Sequence, residues 1–152
     1  MCNHSLFCNA GGSGTYNLSS GRLTTSLVYI GISGSGTLTK SGAGTVLYLS
    51  GANTYTGPTI VNNGMIYLTA SGSINNSVSI NVTSPDVFDV SAVTSGYVLG
   101  AAQRLLGFGV VIGDVTANGR VTPGGNGLGN LTFLNSLTIN AGATNRMRLD
   151  TT

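Results

Sequence analysis

Thr45-Val46-Leu47-Tyr48-Leu49-Ser50-Gly51-Ala52-Asn53 and Asn62-Asn63-Gly64-Met65-Ile66-Tyr67-Leu68-Thr69-Ala70-Ser71-Gly72 decide the fold. Each is a short run of aliphatic and aromatic residues closed by Gly, Asn or Ser. Runs of four to six such residues read as strands, and the small polar residues between them read as turns. The pattern extends outward in both directions. Val78-Ser79-Ile80-Asn81-Val82 stops at Ser84-Pro85-Asp86, while Asn130 to Leu134 and Leu137 to Asn140 flank Asn135-Ser136. No segment carries a convincing helical stripe. The best candidate, Val98 to Leu106, is short and is closed by Gly107 and Gly109.

Composition agrees with an all-β chain. Of 152 residues, 24 are Gly, 19 Thr, 17 Ser and 15 Asn, against six Lys and Arg, four Asp and no Glu. An apolar fraction of 41% still allows a core, which excludes a disordered chain; coiled coil and collagen are excluded by composition. Among all-β architectures, a β-solenoid fits best, because very short strands suffice when stacked coils supply one another's ladder partners. Gly and Asn tolerate positive φ at corners, and Ser and Thr hydroxyls satisfy backbone groups there. At roughly 20 residues per coil, the expectation is a single-domain solenoid of seven or eight coils, about 35 Å long. Residues 27–152 form its body. Residues 1–26 are an N-terminal segment that could be a tail, a cap or a first coil.

Leu38-Thr39-Lys40-Ser41-Gly42-Ala43-Gly44-Thr45, Leu47-Tyr48-Leu49-Ser50-Gly51-Ala52-Asn53-Thr54-Tyr55-Thr56-Gly57 and Val61-Asn62-Asn63-Gly64 closely resemble the autotransporter-associated β-strand repeat. That resemblance implies a right-handed parallel β-helix like those of type V autotransporter passengers, working outside the cell or at a bacterial cell surface. Pro58 stands where the repeat usually has Gly, and Ile60 where Thr is common. The stretch from Gly107 to Thr144 also resembles passenger sequence. A complete autotransporter's outer-membrane barrel does not fit in this length, so the resemblance extends to a passenger-like body.

Side chains alternate across a strand. With Leu47, Leu49, Val61, Ile66 and Leu68 inward, Tyr48, Ile60, Met65 and Tyr67 point outward, at places where the repeat usually has Thr, Ser or Gln. Isolated exposed apolar residues are ordinary. A cluster on a chain with so little charge suggests a second buried surface. Tyr48, Ile60, Met65 and Tyr67 are therefore the expected assembly face. Solenoid ends add unpaired N–H and C=O groups that need a cap or a partner, and a head-to-tail contact that does not close makes a filament.

Cys2 and Cys8 enclose five residues, a spacing that suits a small disulfide loop, an inter-subunit bridge or two thiols of a terminal tail. With only His4 nearby they make no zinc site. The start lacks the features of a signal peptide, as in a processed or trimmed chain. No apolar run is long enough for a transmembrane helix.

Tests for chemistry come out negative. Asp86, Asp89, Asp114 and Asp150 show no facing pair of the kind glycoside hydrolysis needs. Asp86, after Ser84-Pro85, reads as a turn residue. His4, the only histidine, lies far from any nucleophile–acid pattern. Gly124 to Gly129 lacks a following Lys-Ser/Thr and reads as a corner. Thr37-Leu38-Thr39 and Thr54-Tyr55-Thr56 make too few ranks for an ice-binding surface. Arg146 and Arg148 share a strand face that reads as solvated, and no basic stripe interleaved with aromatics suggests nucleic acid. No catalytic residue, metal ligand or cofactor site is expected. The expected partners are further copies of the chain, in a surface fibre or matrix. The alternative is an adhesin or passenger fragment that acts as a monomeric stalk and binds a surface glycan.

Overall fold

A computed structural model describes residues 15–18 and 31–148. Its strands form three parallel sheets. The first stacks β1 (Thr15–Leu18), β2 (Thr37–Lys40), β4 (Thr59–Val61), β6 (Ser79–Val82), β9 (Arg104–Gly107), β12 (Arg120–Pro123) and β15 (Thr144–Asn145). The second stacks β3 (Val46–Leu49), β5 (Met65–Leu68), β7 (Val87–Asp89), β10 (Val110–Ile112) and β13 (Thr132–Phe133). The third stacks β8 (Tyr97–Leu99), β11 (Val115–Ala117) and β14 (Leu137–Ile139). The chain visits the sheets in rotation, so the fold is a β-solenoid.

The described residues wind about five turns, fewer than the expected seven or eight. Coil length is uneven. Ile80 pairs with Leu105, twenty-five residues on, whereas Leu105 pairs with Val121 after only sixteen. The long coil spends its extra residues on the corner and third side between Val90 and Gln103. The candidate helix at Val98 to Leu106 resolves into the end of β8, a turn and most of β9. Along the expected strands, Gly, Asn and Ser corners trim the ends by a residue or so.

Apolar ladders fill the interior. Leu38, Thr59, Ile80, Leu105 and Val121 stack inside the first sheet. Leu47, Ile66, Phe88 and Val111 do so inside the second. Phe88 meets Tyr97 of the third sheet edge-on, ring centroids 5.6 Å apart, an arrangement the ring quadrupoles favour. Coils pack closely enough to dictate residue type at corners. Gly107 has φ +121°, and a Cβ there would lie 2.0 Å from the Val82 carbonyl oxygen, so only Gly fits.

Candidate functional site

In the early coils the third side is an irregular stretch, 51–57, held by side chains. The Asn53 side chain accepts from the Ile32 N–H at 3.0 Å and donates to the Ser73 carbonyl at 3.0 Å, so one residue ties three successive coils. Tyr55 is fully buried, with its hydroxyl 2.6 Å from Thr59 Oγ1. Thr59 Oγ1 lies 2.8 Å from Ser77 Oγ, which reaches the Gly57 carbonyl at 2.9 Å. Gln103 extends this polar spine, donating to the Ile74 and Ser77 carbonyls at 3.0 and 2.8 Å. Burial pushes the Tyr55 phenol up to about 12, partly offset by hydrogen bonds with Thr59 and Ser77. Burial also pushes Tyr97 up. Thr69 Oγ1 is the buried side-chain oxygen without a partner among the described residues. Satisfied interior groups of this kind hold backbone together.

A second set of polar side chains clamps the corner between the first two sheets. Lys40, 2% exposed, lies at the inward end of β2, and its Nζ donates to the Ser41, Gly42 and Asn63 carbonyls at 2.8, 3.1 and 3.1 Å. Asp86 lies one coil further along, 5% exposed, and accepts from the Asn63 and Gly64 N–H groups, both at 2.8 Å. The Asn63-Gly64 corner is thus held between an ammonium on its carbonyl side and a carboxylate on its N–H side. Burial lowers the Lys40 pKa, and the Asp86 charge partly restores it. The reading of Asp86 as a turn residue holds, with the addition that it serves the turn of the neighbouring coil as well as its own. Lys40 stands two residues after the buried Leu38 on β2, so alternation along the strand points it inward.

The outward residues fall on two faces rather than one. Tyr48, Met65 and Tyr67 stand on the outer face of the second sheet, half-buried, with the Tyr48 and Tyr67 rings 5.3 Å apart and tilted by 59°. Val46, Met65, Val87 and Val110 form an apolar column beside them. Ile60 lies on the first sheet, between Thr39 and Asn81. Alternation tells inside from outside but not which of three sides a strand occupies. Thr37 and Thr39 belong to the first sheet, and Thr54 and Thr56 to the irregular third side, so they form no common array. Cys2 and Cys8 lie outside the described residues.

The described carboxylates do not converge, and Asp150 lies outside the described residues. Asp89 accepts from the Ser91 N–H at 2.9 Å and Asp114 from the Ser136 N–H at 3.0 Å. Each caps a different stretch of backbone. Among the described residues no three His, Cys, Asp or Glu side chains gather as metal ligands, and no helix is long and apolar enough to cross a membrane.

In the last described coil, register places Leu137 over Val115 and Ile139 over Ala117, and β13, β14 and β15 stand at the ends of the described sheets.

Residues 38–66 match the family model described as the passenger-associated-transport-repeat. The repeat spans one full turn, from Leu38 to its register partner Thr59, and continues into β5. Its middle has a physical account: Asn53 ties coils, Tyr55 fills the interior, and a Cβ on Gly57 would lie 2.1 Å from the Gly36 carbonyl oxygen. The repeat and the solenoid together fit an autotransporter passenger-like β-helix. No curated protein and no solved structure matches the chain.

Proposed function

We propose that this passenger-like protein is a non-catalytic, extracellular structural subunit that self-assembles into a surface fibre or matrix. The observation that supports assembly is the outer face of the second sheet, where Val46, Met65, Val87 and Val110 form an apolar column beside the rings of Tyr48 and Tyr67. A second copy packed there would bury that column and join rods side by side. The repeat supports a secreted or cell-surface setting. Catalysis is left out because the described carboxylates serve backbone corners.

Negative-stain electron microscopy tests the reading, with wild type beside Met65→Lys. Uniform fibres from wild type and none from Met65→Lys are expected, since a lysine in the lateral contact leaves a charge to be buried. Loss of fibres under reductant would assign the joint to Cys2 and Cys8. Small monodisperse particles from the wild type would sink the fibre and leave the monomeric stalk, binding surface glycans, in its place.

A further inference from the structure

Six side chains in the chain are cationic. Lys40 is inside, Arg22 lies outside the described residues, and the other four gather on the outer face of the first sheet at its C-terminal end. Arg104 of β9 pairs in register with Arg120 of β12, so the two project from adjacent strands, roughly 4.8 Å apart. Register then brings Arg146 beside Thr122 in the next coil. Arg148 follows on the same face, and its Nη1 donates to the Asn126 carbonyl at 2.7 Å. Thr122, Gly125, Asn126, Arg146 and Arg148 line a cleft of about 230 Å³, the space of some seven or eight waters.

Among the described residues, nothing on this face neutralises the arginines. The described carboxylates are all elsewhere: Asp86 in the interior, Asp89 on the second sheet, and Asp114 at the corner before the third. Like charges on paired strands repel, and an anion bridging guanidinium groups relieves the repulsion through charge-assisted hydrogen bonds. The set crosses three successive strands, so it suits repeated anionic groups along a chain better than one isolated ion. Around them, the outward residues Ser79, Asn81, Thr122 and Thr144 carry hydroxyl and amide groups that match sugar hydroxyls, with one apolar neighbour, Leu106, between Asn81 and Thr122. No aromatic side chain stands among them to stack a nucleic-acid base. We propose that Arg104, Arg120, Arg146 and Arg148 form a binding site for a linear acidic polysaccharide. This gives a chemistry to the glycan binding of the stalk reading, and it holds whether or not copies of the chain stack.

The test measures binding of soluble protein to dextran sulfate, polygalacturonate and neutral dextran, with the state of assembly followed by light scattering in the same samples. Binding to either acidic polymer is expected, weakening about tenfold or more between about 50 and 200 mM salt; which polymer binds tells sulfate from carboxylate recognition. The triple variant Arg104→Gln/Arg120→Gln/Arg146→Gln should bind at least about tenfold more weakly, two- to fivefold per arginine. A charge-matched control, Ala43→Glu/Ala70→Glu/Thr94→Glu, carries its changes at exposed positions off this face and should stay within about threefold of wild type. Equal loss in the control, equal binding of neutral dextran, or no binding of either acidic polymer at low salt overturns the proposal. Absence of fibres in the scattering leaves it standing, and its failure leaves assembly standing.

Discussion

Asp86→Ala removes one half of the clamp on the Asn63-Gly64 corner, and its cost can be worked from the contacts. Two backbone N–H groups, each 2.8 Å from the carboxylate, lose their acceptor, and Lys40 loses the negative charge that favours its ammonium. An unsatisfied buried donor costs about 1–3 kcal/mol. Asn63 is exposed, so water takes up part of its share and the total falls at about 3 kcal/mol. With a urea slope of about 2 kcal/mol/M, the unfolding midpoint drops by about 1.5 M. Asp86→Asn keeps an oxygen for one N–H but turns its own NH₂ toward the other, and should lose about half as much. Lys40→Met leaves carbonyl oxygens short of a donor, a smaller cost than orphaned N–H groups. The double variant should be less destabilised than the sum of the singles, by about 0.5 kcal/mol or more. Urea titration followed by far-ultraviolet circular dichroism and tyrosine fluorescence reads all four proteins, the chain having no Trp. A midpoint for Asp86→Ala within about 0.3 M of wild type would refute the clamp.

Two further outcomes follow from the interior. Gly107→Ala drives a Cβ into the Val82 carbonyl at a positive φ and should cost about 3 kcal/mol or more, whereas Gly127→Ala, whose Cβ would meet the Gly124 oxygen at 3.7 Å, should change the melting temperature little; similar losses in both would refute the close-packing argument. Stability should fall with alkali, because unfolded phenols ionise near 10 while Tyr55 holds its proton to about 12 and Tyr97 is raised as well, so the unfolded state binds fewer protons as pH rises through that window. Lys40 works in the opposite sense below 10.5, since its lowered pKa makes the folded state the weaker proton binder. Tyr55→Phe should therefore flatten the alkaline decline in melting temperature, and an unchanged decline would show that the buried phenol does not drive it.

The solenoid was legible because its signal is local. Strand runs such as Val46 to Leu49, with Gly-Ala-Asn or Asn-Asn-Gly corners, declare short strands and tight turns without reference to anything distant. The inward set Leu47, Leu49, Val61, Ile66 and Leu68 also followed from alternation alone, and all five are buried. What stayed hidden depends on which coil lies over which. Uneven corners, twenty-five residues in one turn and sixteen in the next, defeat a count based on a fixed period. The same unevenness conceals that Ile60 and Met65 face different sides, and that Arg104 and Arg120 stand together. Arg146 and Arg148 could be paired by their spacing of two. Bringing Arg104 beside them needed the register. Three stacked corners show why the Lys40 ammonium belongs inside.

The uneven but short reach of the ladder has a consequence for how such a molecule comes into being. Every described strand pairs with one at most twenty-five residues away, so none of these coils must wait for a distant part of the chain before it can settle. Each completed turn is a template for the next, and the body grows by accretion along its axis. A barrel closes when its last strand meets its first. A solenoid has no such moment: nothing in its geometry counts turns, and each coil, once laid, presents much the same surface to the coil that follows it.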